Sequence, residues 1–493
     1  MKKLFTLALA SLMSLSSMAE TYRCKLAVDV YGTPSDPMEI DLECTKNANG
    51  KYDILLKDFA FGTIPVGDVT INGIDAATAD GQAYLTYDGT ITLGGAFATL
   101  GDLPVNFEGF IMDNLFEARL QVPNVGVNVG LSNQTTQIYG SDFENWHKAG
   151  TSDEPNGWHG IKSGTGLASF AGESAFMSDD VPADSKGTKS VKLQSGVTIG
   201  ISANGTITTG RMAVGAMEAA STKNNVFVDP SSTDVDGNGD PYYNTFQGRP
   251  TSITLRYKFK NGGDNTNPAL ISANLIGEGY FQEPAPEGTT YENLIANATS
   301  TLEATDEWKT VTVPFDYDTY GAEDFDPASI LVTINTCSVP GGGSKSNDDP
   351  DVLYVDDVVV NYEPVANSLF IFENEVEGFS ADKTEYDITL PEIPTDDDID
   401  FECVNGALAA CLSYYDDDLK TLTVNMYNQE LKHMKTYTFN VTIDPTGING
   451  ITTDAVNNAV TGRYNINGQK VGKNAKGLVI TRFADGTAIK TMK

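Results

Sequence analysis

From residue 22 to residue 131 apolar and polar side chains alternate in short runs, and Gly, Asp and Asn interrupt each run before it can grow. The runs cover 22–31, 38–44, 52–61, 66–71, 83–93, 105–111 and 115–122. Period two marks a half-buried strand, because successive side chains point to opposite faces. Seven or eight strands running up and down leave two raw edges, and closing the sheet on itself removes both. A β-barrel is therefore expected over 20–131. Eight strands enclose a space that side chains fill, and a filled interior is expected.

The alternation continues with longer connections. Over 138–364, strands are expected at 189–193, 251–260, 268–278, 308–317, 329–337 and 353–360. Ile253, Leu255, Tyr257 and Phe259 alternate with Thr254, Arg256, Lys258 and Lys260, giving one dry and one wet face. Long loops and first and last strands far apart in sequence fit a two-sheet jelly-roll β-sandwich. A smaller sandwich is expected over 365–446, and a short β tail over 447–493. The chain reads as all-β throughout, and 493 residues suit several domains.

Charge narrows the function. With 67 acidic and 32 basic residues the net charge is −35, which excludes nonspecific binding to nucleic acid or anionic lipid, since both rest on clustered cations. Residues 447–493 run the other way, with seven Lys or Arg against Asp454 and Asp485. Met1-Lys2-Lys3, the apolar stretch 4–15 and Ser17-Met18-Ala19 predict a secretory signal peptide over 1–19. No later run approaches the roughly 20 apolar residues of a spanning helix, so no transmembrane segment is expected. The address is extracellular or cell-surface, with the periplasm second.

Export exposes five Cys to oxidation. If Leu26 and Val28 pair with Leu42 and Ile40 around the turn at 32–36, Cys24 falls opposite Cys44, within disulfide reach. Cys403 and Cys411 flank the Asn405-Gly406 turn and are expected to pair likewise. Cys337 is left as a buried strand residue. Five buried thiols is the alternative.

Several stretches carry family resemblances. Lys51-Tyr-Asp-Ile-Leu-Leu-Lys-Asp-Phe-Ala-Phe-Gly62 with Val66-Gly-Asp-Val-Thr-Ile71 resembles the calycin-like barrels of secreted Bacteroidota proteins. The Gly-x-Trp signature of lipocalins is absent, since no Trp precedes Trp146. Asp142-Phe-Glu-Asn-Trp146, residues 248–258, Trp308-Lys-Thr-Val-Thr-Val-Pro-Phe315 and Leu353-Tyr-Val-Asp-Asp357 look like the carbohydrate metabolism domain of Bacteroidota, similar in fold to carbohydrate-binding jelly rolls. Gly378–Ile388 and Lys435–Ile443 resemble short immunoglobulin-like repeats of such proteins. Arg463–Val471 and Lys476–Ile480 resemble C-terminal sorting tails, which implies an outer-membrane secretion machinery as partner.

Candidate sites follow. Asp142 and Glu144 near the first strand and Asp356 and Asp357 on the last can meet if those strands are neighbours, and Ca²⁺ accepts such an oxygen set. Similar jelly rolls hold a structural Ca²⁺ there; a solvated acidic strand end, or partners for Arg256 and Lys258, is the alternative. Asp234-x-Asp236-x-Asn238-Gly239-Asp240 copies half of an EF-hand loop, but Thr245 stands where a bidentate Glu is needed, so an Asx-turn loop is expected. Trp146, Trp158, Tyr242 and Tyr243 are candidates for a sugar-stacking platform, while Trp308 reads as core. His147, His159 and His433 are too scattered for a histidine-built zinc site. No nucleophile elbow, zinc-protease motif or P-loop occurs, and no catalytic residue is assigned. The leading expectation is a secreted or surface-displayed protein whose central jelly roll binds glycan or polysaccharide without cleaving it. A glycoside-processing enzyme using acidic loop residues and a structural or adhesion protein are the alternatives.

Overall fold

The computed structural model describes residues 19–79, 82–112, 114–198, 200–320, 326–404, 408–444, 460–464, 478–483 and 488–492. The expected signal peptide, apart from Ala19, lies outside the described residues, as does most of the tail. Every described element is a strand or a short 3-10 turn, so the chain is all-β. No described helix is long and apolar enough to cross a membrane.

The chain forms two compact units. The barrel groups with Leu412–Asn425 and Leu431–Thr442 in one; Gln134–Cys411, Met426–Glu430 and the described tail strands make up the other. Within the first unit, the added segments meet the barrel through polar and aromatic contacts. Asn425 donates to the buried Asp29 carboxylate, and to Gly32 O at 3.0 Å. Asn128 donates to Ser413 O at 2.6 Å, and Tyr31 meets Tyr414 edge-on.

The barrel strands are Ala19–Val30, Met38–Lys46, Tyr52–Phe61, Ile64–Ala79, Gln82–Thr92, Asp102–Met112, Leu115–Val122 and Val127–Ser132. Each pairs antiparallel with the next, and Leu26↔Leu131 and Val28↔Val129 close the ring. Leu26, Ile54, Ile74, Leu85, Phe107 and Phe116 pack inside it.

Both disulfide expectations are corrected. The first hairpin turns at Tyr31 and Gly32, which both have positive φ (51° and 74°) as a tight two-residue turn requires. Thr33 and Pro34 then fold back onto Val30 and Asp29. The register puts Cys24 opposite Ile40 and Cys44 opposite Glu20. Both are free thiols whose pKa burial pushes up to about 12. Cys403 pairs across to Ala366 in one sheet, whereas Cys411 lies on Leu408–Asp416 in another, and Cys403 is a free thiol.

The central region is a sandwich of two sheets. One runs in the order Ala175–Ser178, Ser190–Gln194, Val352–Asn361, Ser252–Lys260, Thr305–Pro314; the other runs Thr206–Thr208, Ser329–Asn335, Ala269–Ile276, Leu294–Leu302. Ile253, Leu255, Tyr257 and Phe259 turn inward as their alternation requires, against Ile271, Ala273, Val332 and Ile334. Trp308 is not core. It lies half-buried, its indole donating to Asp180 at 3.0 Å with Lys258 over the ring. A third, small sheet, Thr165–Gly166, Arg211–Val214, Asn224–Val228 and Phe281–Glu283, was not legible in the sequence.

Beyond 365, Asn374–Glu375, Val365–Ile371 and Ile399–Val404 form a three-stranded sheet. In the second unit the basic tail contributes Arg482, which covers the Tyr464 ring and approaches Glu373 and Asp400 at 3.8 and 3.9 Å.

Candidate functional site

The small sheet builds the site. Met212, Val226, Val228 and Phe281 bury one face against Ile276 and Leu331. Period two turns Arg211 and Phe227 to the other face. Phe227 stacks on the exposed Tyr280 at 5.9 Å. The loop after the strand Asn224–Val228 folds on Asp236, whose Oδ1 accepts the N–H groups of Asn238 (2.8 Å) and Asp240 (2.9 Å). It is the Asx-turn loop the sequence implies. Asp234 pairs with Arg211 at 2.6 Å. The loop delivers Tyr242 and Tyr243, and with Arg211, Phe227, Asp229, Ser232 and Asp234 they line a small cleft. The Arg211 guanidinium lies 4.2 Å from the Tyr242 ring centroid, a cation–π contact.

Next to the cleft, the strands Trp146–Ala149 and Ser152–Pro155 form a hairpin that sets His147 opposite Glu154. His159 packs its ring on Tyr242 at 4.7 Å. His147 Nε2 lies 3.4 Å from Asp236 Oδ2, and His159 Nδ1 lies 3.8 Å from Glu154 Oε2. All four side chains are at least 96% buried. Sequence spacing hid this group, although the tight turn at Gly150-Thr151 places 147 and 154 symmetrically about itself.

The expected aromatics divide. Trp158 is fully buried in the sandwich core, 5.3 Å from Phe143. It is no platform, because the core takes the largest apolar face available. Trp146 is half-buried against the same core, its indole donating to Phe143 O at 2.7 Å. Only Tyr242 and Tyr243 reach the cleft.

The expected carboxylates lie where segment 136–144 runs beside the last sandwich strand, Val358 N donating to Ser141 O at 3.0 Å. Asp142 is exposed and, with Asp357, borders a shallow groove. Glu144 accepts Thr188 N and Lys189 N, both at 2.7 Å; burial raises its pKa, and these bonds outweigh it to leave a net lowering. Asp356 is 1% exposed, and burial together with the Asp357 charge pushes its pKa up to about 7. Asp357 lies 3.7 Å from Arg256.

Glu283, on the small sheet, accepts Ser272 (3.0 Å) and Asn274 (2.9 Å), yet burial raises its pKa. A raised acid favours folding below its unfolded pKa and loses that contribution as pH rises through the folded value. Glu283→Gln is therefore expected to raise the melting temperature at pH 8 and to have little effect near pH 4. Equal shifts at both pH values would contradict it.

Residues 18–143 match the family model of the calycin-like beta-barrel domain, the stretch that holds the closed eight-strand barrel. No curated protein matches the sequence. Among solved structures, the chain is similar to one described as carbohydrate-binding modules from the beta-sandwich superfamily, at 10% identity, TM-score 0.21, over 63% of this chain and 91% of that one. It is similar to a candidate outer membrane protein from Bacteroides fragilis NCTC 9343, at 10% identity, TM-score 0.19, over 66% and 97%. A third likeness is the N-terminal CBM22 tandem domain of Paenibacillus barcinonensis Xyn10C, at 9% identity, TM-score 0.20, over 71% and 99%.

Proposed function

We propose that this is an exported, surface-exposed protein whose central sandwich binds carbohydrate without cleaving it, in the cleft of the small sheet. The observation that carries the reading is the convergence of Phe227, Tyr242 and Tyr243 with Arg211, Asp229 and Asp234 on one cleft. Sugars present C–H faces to aromatic rings and hydroxyls to charged or amide groups. Each ring contact contributes about 0.5–1.5 kcal/mol beyond area burial, so affinity falls in the millimolar to micromolar range. Binding on a glycan array without turnover of the bound sugars is expected. Phe227→Ala should weaken it about two- to tenfold and leave the melting temperature in place. Turnover would instead make the chain a glycoside-processing enzyme, and neither binding nor turnover would favour an adhesion or structural role. The secretory signal over 1–19 and the sorting-type tail, with an outer-membrane secretion machinery as its partner, belong to the same proposal.

The proposal includes a structural Ca²⁺ held by Asp142, Glu144, Asp356 and Asp357. Asp356 Oδ2 and Ser141 Oγ are buried without hydrogen-bond partners, and the charges of Asp357 and Glu144 disfavour the ionised Asp356. A cation bound only by the native state offsets that repulsion and stabilises by mass action. Removal of calcium with a calcium-selective chelator is expected to lower the melting temperature, with recovery on adding calcium. An unchanged melting curve in excess chelator would reject it.

A further inference from the structure

We propose that His147, Glu154, His159 and Asp236 form a second and different metal site, closed and structural, for a divalent transition-metal ion of the zinc class. Among the described residues, one ligand atom each from His147, Glu154 and His159 lies within 4.8 Å of the others. Asp236 stands outside that triad and reaches it through His147 alone, at 3.4 Å, so it completes the set only by closing on the ion. Two ligands held 2.0–2.2 Å from a tetrahedral ion sit roughly 3.3–3.6 Å from each other. The 3.4 and 3.8 Å separations are close to that spacing and long for hydrogen bonds.

The unpartnered atoms point the same way. His147 Nε2, both ring nitrogens of His159 and Asp236 Oδ2 are buried and have no hydrogen-bond partner. Asn156 Oδ1 lies 3.2 Å from His147 Nδ1; with the proton on that nitrogen, Nε2 presents a lone pair to a carboxylate oxygen. Such a contact repels unless a proton or a cation lies between. Two buried carboxylates without compensation are costly, and the nearby Arg211 is engaged by Asp234. A dication balances both.

The surroundings hold the ligands in place as outer-shell groups do in metal sites. Gly160 N donates to Glu154 Oε1 at 2.8 Å, and Ser163 Oγ donates to Oε2. Asp240 N and Asn238 N fix Asp236 through its other oxygen. Gly237 passes so close to the hairpin that a Cβ there would meet Lys148 O at 1.8 Å. Four protein ligands leave no open coordination position, which is the structural and not the catalytic arrangement. The ion would pin the 146–155 hairpin, the turn at 156–160 and the loop at 234–240, and through that loop set Tyr242 and Tyr243.

The test uses the full chain, stripped with chelator and returned to calcium-replete buffer, then titrated with cobalt(II). Saturation at one equivalent with the intense visible bands of tetrahedral cobalt is expected, reversed by zinc. The paired variant His147→Gln/His159→Gln should lose these bands, whereas Asp153→Asn, on the same hairpin but turned to Lys148, should keep them. Wild-type chain that stays folded and gives no cobalt bands overturns the proposal whatever the variants do. Bands that persist in the folded paired variant overturn it equally.

Discussion

Trp158→Ala is expected to destabilise the second unit by about 3–5 kcal/mol, the cost of removing a large buried aromatic and leaving a cavity. Trp158 has no exposed surface and packs with Phe143 and the inward side chains of both sandwich sheets. At about 2–4 °C per kcal/mol for a domain of this size, the melting temperature should fall by roughly 10 °C. Calorimetry of the full chain measures it. The contrast with Phe227→Ala is the informative part: one ring should cost stability, the other binding. A Trp158→Ala protein that melts like wild type but binds no glycan would mean that the ring faces ligand.

Trp158 also shows what the sequence could and could not tell. Alternation over Ser252–Lys260 put the right residues inward, because a strand's period is fixed by its backbone. A tryptophan in a loop carries no such period, and Asn156-Gly157-Trp158 reads equally well as a rim or as a plug. The eighth barrel strand, Val127–Ser132, was missed because Gly130 and Ser132 dilute its Val127, Val129, Leu131 pattern. The four strands of the small sheet span two to five residues, too short for any period to show. The cysteine register failed on one turn. Tyr31 adopts a left-handed conformation unusual for a non-glycine residue, while Gly32-Thr-Pro-Ser-Asp36 looked like the natural turn. The histidines failed for another reason: their site is made by a hairpin and a distant Asx loop, and only tertiary structure brings His147 to Asp236.

The polar joint inside the first unit gives the other large effect. Asn425 donates to the Asp29 carboxylate and to Gly32 O, and accepts Thr436 Oγ1 at 2.6 Å. Asp29 and Asn425 have no exposed surface. Asn425→Leu removes one donor from a buried carboxylate and leaves Gly32 O without that amide, and a buried hydrogen bond to a charged group contributes about 1.5–3 kcal/mol. The barrel is expected to melt several degrees lower. Asp29→Asn on its own removes the charge but keeps acceptor capacity, so the double variant Asp29→Asn/Asn425→Leu should lose less than the sum of the two single changes. The coupling measured by that cycle decides the matter. If the two losses simply add, the barrel strand Ala19–Val30 does not depend on Asn425, and the grouping of Leu412–Asn425 with the barrel rests on the Tyr31–Tyr414 and Asn128–Ser413 contacts instead.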